Sequence, residues 1–143
     1  VSKDGKSITQ NLAVGYFDAM TIGINFTAID SLNEVQGDIK GWEKAKAWDH
    51  SSVIGEWIPA EKINQKEDID FCFYKNRQPV QLGNSALMIS NFYKLIAGIS
   101  NKFSLKAGDI IFTGSTVSVV EMAEGDKVEA FFGDDSMLEF EIE

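Results

Sequence analysis

The sequence predicts an α+β fold dominated by β-structure, on three observations. Short runs rich in β-branched and aromatic residues recur along the chain, one segment carries a helical apolar period, and Gly-Asp pairs punctuate the last third.

Taken in order, residues 1–8 read as the end of a strand followed by a turn at Asp4-Gly5. Leu12, Val14, Tyr16, Phe17 and Met20 form a short amphipathic pattern over residues 11–20, compatible with a brief helix leading into a strand over 21–28. The polar stretch 30–49, with Trp42 and Trp48 embedded in it, suggests helix, loop and helix. Strand signals then become denser, at 53–58, 69–74, 110–113, 128–132 and 137–142. Between the second and third of these, Leu87, Met88, Phe92, Leu95, Ile96 and Ile99 recur at spacings of three and four, which predicts one long helix over residues 85–99. Gly108-Asp109, Gly125-Asp126 and Gly133-Asp134 read as hairpin connections whose backbone needs positive φ or an Asx-type hydrogen bond. They lack the alternating ligand spacing of a calcium loop.

With 143 residues and 44% hydrophobic content, the chain can bury one substantial core but not two, so a single domain over 1–143 is expected. No stretch approaches the roughly 18 to 20 apolar residues of a membrane helix, and no membrane partner is expected. The formal charge of −9 is spread along the sequence without a Lys/Arg cluster that could neutralise successive phosphates, which argues against nucleic acid. Cys72, the only cysteine, lies in the apolar run 69–74, where a buried inert thiol is expected. A lone cysteine forms no intrachain disulfide, which fits a reducing, cytoplasmic location. The chain opens at Val1 without methionine and without the sections of a signal peptide, as processing or truncation would leave it.

Four segments in order carry a resemblance. They are Gly23-Ile24-Asn25-Phe26-Thr27-Ala28-Ile29-Asp30; Trp42-Glu43-Lys44-Ala45-Lys46-Ala47-Trp48-Asp49 leading to Ile54-Gly55-Glu56-Trp57-Ile58; Gln81-Leu82-Gly83-Asn84-Ser85; and Leu105-Lys106-Ala107-Gly108-Asp109-Ile110-Ile111-Phe112-Thr113-Gly114. Together they resemble the C-terminal catalytic domain of the fumarylacetoacetate hydrolase superfamily, with its N-terminal third expected to be missing. The resemblance implies a mixed β-sandwich or roll with a few short helices, a homodimer, and a divalent metal, Mg²⁺ or Mn²⁺. It also implies that family members hold the metal with a Glu-x-Glu pair, expected here before Val1, and with the Asp that begins an Asp-x-x-Ala-Arg segment. A hard dication prefers such oxygens and chelates the keto and carboxylate oxygens of a 2-oxo acid.

Carried over residue by residue, the resemblance makes Asn25 the metal ligand, an amide where the family has a carboxylate. Lys46 is the catalytic lysine beside the substrate oxygens. Gln81, Thr113 and Ser115 are substrate-binding, the last two through hydroxyls able to hold a carboxylate. Ile29 and Leu32 replace an arginine and a polar residue, making that side of the pocket more apolar, and Ser118 stands where a glycine is usual. His50, the only histidine, is expected at the surface or capping a helix. The function implied is a metal-dependent hydrolase or lyase of 2-oxo or β-diketo acids, by acylpyruvate-type C–C hydrolysis or a related decarboxylation or isomerisation. Its small-molecule partner would be a 2-oxo acid. The alternative is a catalytically impaired relative kept as a dimeric binding or scaffold module.

Overall fold

The computed structural model describes residues 1–34, 41–63, 68–116 and 119–143. They form two compact units, Val1–Ile22 with Glu56–Glu143, and Gly23–Gly55. Strands predominate and the helices are short: α1 (Ile29–Glu34), α2 (Trp42–Lys46) and α3 (Phe92–Lys102). No helix among the described residues is long and apolar enough to cross a membrane.

The larger unit is built on a four-stranded antiparallel sheet of β5 (Asp70–Lys75), β6 (Gln78–Asn84), β7 (Lys127–Phe132) and β8 (Asp135–Glu141), ordered β6-β5-β7-β8. Alternation decides which face is buried. Val128 and Ala130 of β7 point inward and are buried, as is Phe73, which stands opposite Ala130, so a large side chain faces a small one. On the other face Tyr74 meets Phe131 edge-on with ring centroids 5.7 Å apart. Phe71 lies opposite Gly83 of β6, and its ring covers the place where a Cβ at 83 would stand.

Both hairpins of the sheet close with two residues. Gly133-Asp134 joins β7 to β8 with Gly133 at φ 61°, as the sequence leads one to expect. Asn76-Arg77 joins β5 to β6 with φ 51° and 65°, a left-handed pair without glycine. Asn76 offsets that strain through its side chain: Nδ2 donates to Asp126 Oδ1 at 2.7 Å and Oδ1 accepts from Lys127 N at 2.9 Å. Gly108 and Gly125 also take positive φ, but each precedes an Asp that accepts a backbone N–H three residues back, at Lys106 and Ala123, and neither closes a hairpin of this sheet.

Asp126 is buried at this end of the sheet. Its carboxylate accepts from Lys75 Nζ at 2.8 Å, Ala123 N at 2.7 Å and Asn76 Nδ2. The Lys75 ammonium above all, then the Ala123 N–H and the Asn76 amide, lower its pKa from 3.8 to about 2.

A second cluster in the same unit packs Ile8, Ala13, Ile96 and Leu105, with Tyr16, Phe17, Tyr93, Ile99 and Ile111 against them. The N-terminal arm is sewn to α3 and to the segment after it. Ile8 N donates to Ser100 Oγ at 2.9 Å, Ser7 N donates to Ser100 O, and Gly5 and Leu105 exchange backbone bonds. β1 (Ala19–Met20) pairs antiparallel with β4 (Ile58–Pro59) beside this arm.

Several expectations are corrected. The helix over 85–99 is two pieces, a 3₁₀ turn at Ser85–Leu87 and α3, separated by extended Met88. Asn84 and Asn91 cap the two pieces, their side chains accepting from Ala86 N and Lys94 N, and the caps override the apolar spacing. Leu87 is accordingly 79% exposed. Residues 110–113 keep strand alternation, Ile111 packed inward with Ile110 and Phe112 outward, yet form no ladder. β6 carried no signal because Pro79 and Gly83 depress it; an edge strand tolerates both. The run 53–58 divides at Gly55 into β3 (Ser52–Ile54) and β4. The helix over 11–20 shrinks to a 3₁₀ turn at Ala13–Gly15. Cys72 is half-buried and free. Within the stretch 30–49 read as helix, loop and helix, residues 35–40 lie outside the described residues, as does Ser118.

The depressed pKa of Asp126 fixes the direction of an acid dependence. A carboxyl that ionises more readily folded than unfolded stabilises fully above its unfolded pKa near 3.8, and that contribution is lost as pH falls towards about 2. Asp126→Asn is expected to lower Tm at neutral pH, and the gap from the unsubstituted protein is expected to close between pH 4 and pH 2 in thermal melts followed by circular dichroism. A gap that stays constant across that range would contradict the role given to the ionised carboxylate.

Candidate functional site

The unit Gly23–Gly55 positions the lysine that the sequence singles out. β2 (Gly23–Asn25) pairs antiparallel with β3, Gly23 opposite Ile54 and Asn25 opposite Ser52. Phe26 N donates to Ser51 O at 2.8 Å, so the segment stays extended just past Asn25. The chain then enters α1, which packs on α2. Ala28 N donates to Ala45 O at 3.0 Å, and Ala45 is fully buried, its methyl small enough for the two segments to touch through their backbones.

That contact sets the reach of Lys46, the last residue of α2. On an extended segment residues two apart share a side, so Asn25 and Thr27 present their oxygens together. Lys46 Nζ donates to Asn25 Oδ1 at 3.3 Å and to Thr27 Oγ1 in a shorter bond. Thr27 and Lys46 are half-buried and Asn25 is exposed. An ammonium has three N–H donors, so one remains after these two bonds. Both acceptors are neutral, and among the described residues no carboxylate pairs with Lys46. The charge is held in place and, among the described residues, meets no carboxylate, an arrangement that attracts an anionic oxygen.

The structure therefore brings Lys46 and Asn25 into contact and adds Thr27, which sequence reasoning passed over. Its signal was available: it stands two residues beyond Asn25 in an extended run. Ile29 opens α1 and is partly exposed, while Leu32 is half-buried. His50 sits on an exposed turn with φ 65°, beside Ser51 N, which donates to Trp48 O. The other expected site residues belong to the larger unit. Gln81 lies half-buried in β6 opposite Phe73. Thr113 and Ser115 are exposed on either side of Gly114, whose φ is 110°.

As a metal site the described residues fall short. No group of three His, Cys, Asp or Glu side chains gathers among them. Asn25 offers one neutral amide oxygen, already accepting from an ammonium, whereas Mg²⁺ and Mn²⁺ favour carboxylate oxygens. These residues do not by themselves fit a divalent cation.

The family model for the fumarylacetoacetate (FAA) hydrolase C-terminal region matches residues 1–143. A curated oxaloacetate tautomerase of Escherichia coli K12 is 36% identical over 112 residues, 75% of this chain and 51% of that protein. Among solved structures, a candidate fumarylpyruvate hydrolase from Burkholderia cenocepacia superposes with a TM-score of 0.88 at 29% identity, over 99% of this chain and 62% of that one. A fumarylpyruvate hydrolase from Pseudomonas aeruginosa, in complex with Mn²⁺ and pyruvate, superposes with a TM-score of 0.91 at 21% identity, over 99% and 61% of the two chains, a likeness of fold. The chain thus spans between 51% and 62% of the length of these relatives. The mainly β architecture with short helices agrees with the expected α+β class, and the chain shares the fold of these proteins.

Proposed function

We propose, since the chain belongs to the fumarylacetoacetate hydrolase family, that it forms part of an enzyme acting on 2-oxo or β-diketo acids in which Lys46 holds the reacting anion. The observation that carries the reading is the Lys46 ammonium fixed by Asn25 and Thr27 and, among the described residues, paired with no carboxylate. Tautomerisation of a 2-oxo acid, decarboxylation of a β-keto acid and C–C hydrolysis of an acylpyruvate share one electronic demand. Each develops negative charge on a keto oxygen as an enolate forms. An ammonium placed there binds the enolate more strongly than the neutral ketone, and only that difference accelerates the step. Asn25 and Thr27 keep the ammonium from swinging away, so little reorganisation is needed when charge appears. Relatives acting on oxaloacetate and fumarylpyruvate support this substrate class. Gln81, Thr113 and Ser115 enter the proposal as substrate-binding residues on the strength of the family resemblance.

Mg²⁺ or Mn²⁺ enters as a cofactor of the whole protein, with Asn25 at most a neutral ligand and the carboxylates supplied from outside the described residues. The cation would polarise the substrate's oxygens when bound. The absence of an acid cluster among the described residues favours, as second reading, a binding module that retains the fold without turnover.

The test uses the intact protein, assayed for oxaloacetate enol–keto conversion and for acylpyruvate cleavage, with Mg²⁺ or Mn²⁺ and after chelation. Lys46→Met is expected to lower kcat/KM by roughly 10²–10³-fold with an unchanged circular dichroism spectrum. Turnover equal to that of the unsubstituted protein would refute the role of Lys46. Binding of pyruvate without turnover would select the second reading, and full activity in chelator would remove the cation. The homodimer, proposed from the same family resemblance, predicts a light-scattering mass twice that of the intact chain.

A further inference from the structure

Trp42 and Lys46 are the first and last residues of α2, four apart. Side chains at that spacing stand on one face of a helix, their Cβ atoms roughly 5–6 Å apart. Trp42 is 56% exposed, the most exposed of the three tryptophans. Trp48 is anchored, its Nε1–H donating to Ala45 O at 3.4 Å, whereas the Trp42 indole N–H meets no acceptor among the described residues. The same unit leaves Ile29 partly exposed at the start of α1, the helix packed on α2.

The unit's charge is as telling as its apolar surface. Residues 23–55 contain no arginine, and the chain's only one, Arg77, lies in the other unit. No bidentate clamp for a second carboxylate is therefore available within Gly23–Gly55. Lys44 is two residues from both Trp42 and Lys46 and faces away from their side of the helix. The four-residue spacing thus sets the exposed Trp42 one helical turn from Lys46, on the side of α2 that a ligand held by Lys46 shares. The face of an indole is the negative end of its quadrupole, so it favours planar apolar groups and repels a carboxylate.

We propose that Trp42 is a specificity-determining residue, selecting 2-oxo monocarboxylic acids with a planar, apolar tail over 2-oxo dicarboxylic acids. The inference rests on the reading of Lys46 as the anion-holding group. It narrows the substrate class towards acylpyruvates whose acyl group is aromatic or unsaturated and carries no second carboxylate, and away from oxaloacetate and fumarylpyruvate.

The experiment is isothermal titration of the intact protein with pyruvate, phenylglyoxylate and 2-oxoglutarate. Phenylglyoxylate carries a planar tail and no enolisable hydrogen, so it is not tautomerised during the titration. Phenylglyoxylate is expected to bind about tenfold more tightly than pyruvate, and 2-oxoglutarate more weakly than pyruvate. Trp42→Ala is expected to remove the preference for phenylglyoxylate while leaving pyruvate affinity within about twofold. Trp42→Phe, which keeps a smaller ring, is expected to retain most of the preference and also guards against loss of folding. The inference is overturned if 2-oxoglutarate binds the unsubstituted protein most tightly, or if Trp42→Ala weakens all three ligands equally, as a structural role would. It is overturned alone if Lys46→Met abolishes pyruvate binding while Trp42→Ala and Trp42→Phe keep the phenylglyoxylate preference intact. If none of the three ligands binds, or all bind undiminished to Lys46→Met, the Lys46 reading falls and takes this one with it.

Discussion

Asp126 receives three N–H groups at once, from a lysine on β5, an asparagine in the β5–β6 turn and the backbone just before β7. A carboxylate that satisfies them together fixes where the sheet's central strands begin and end. The glycine-free turn at Asn76-Arg77 depends on the same group, since two residues in the left-handed region persist only where the surroundings hold them. With that end secured, the register Phe73 to Ala130 follows, and with it the placing of large against small side chains in the sheet core. Lys75 also donates to Glu121 O, drawing the segment before β7 into the same junction.

How much of this was legible depended on whether local pattern and tertiary need agreed. β5, β7 and β8 are enriched in β-branched or aromatic residues, and their strands stand where that enrichment put them within a residue or two. At β6 the two disagree. Pro79 and Gly83 are poor strand residues, yet Pro79 lies on an edge and Gly83 makes room for the Phe71 ring. The split helix shows the reverse error. Leu87 fits the helical spacing only by coincidence, because Asn91 starts a new helix with its own side chain and no amount of apolar periodicity reports a competing cap.

The site was legible in a different way. Lys46 and Asn25 came from ordered likeness to a family, not from any local signal, and they are in contact. Thr27 was missed, although strand alternation places it beside Asn25, because a neutral hydroxyl carries no ionisable or metal-binding signal. A threonine hydroxyl matters here as a fixed acceptor: it determines where another residue's charge points. A small buried alanine at 45 has equal weight, since a larger side chain would separate α2 from the strand that orients its lysine.

The pairing of Phe71 with Gly83 links two positions that are twelve apart in sequence. Any side chain acquired at 83 meets an aromatic ring already in its space, and shrinking the ring first opens a void over bare backbone. Neither single step is neutral, so a lineage that departs from this pair should do so by changing both together. Across many related sequences the two columns should vary as one, a linked inheritance written by packing alone.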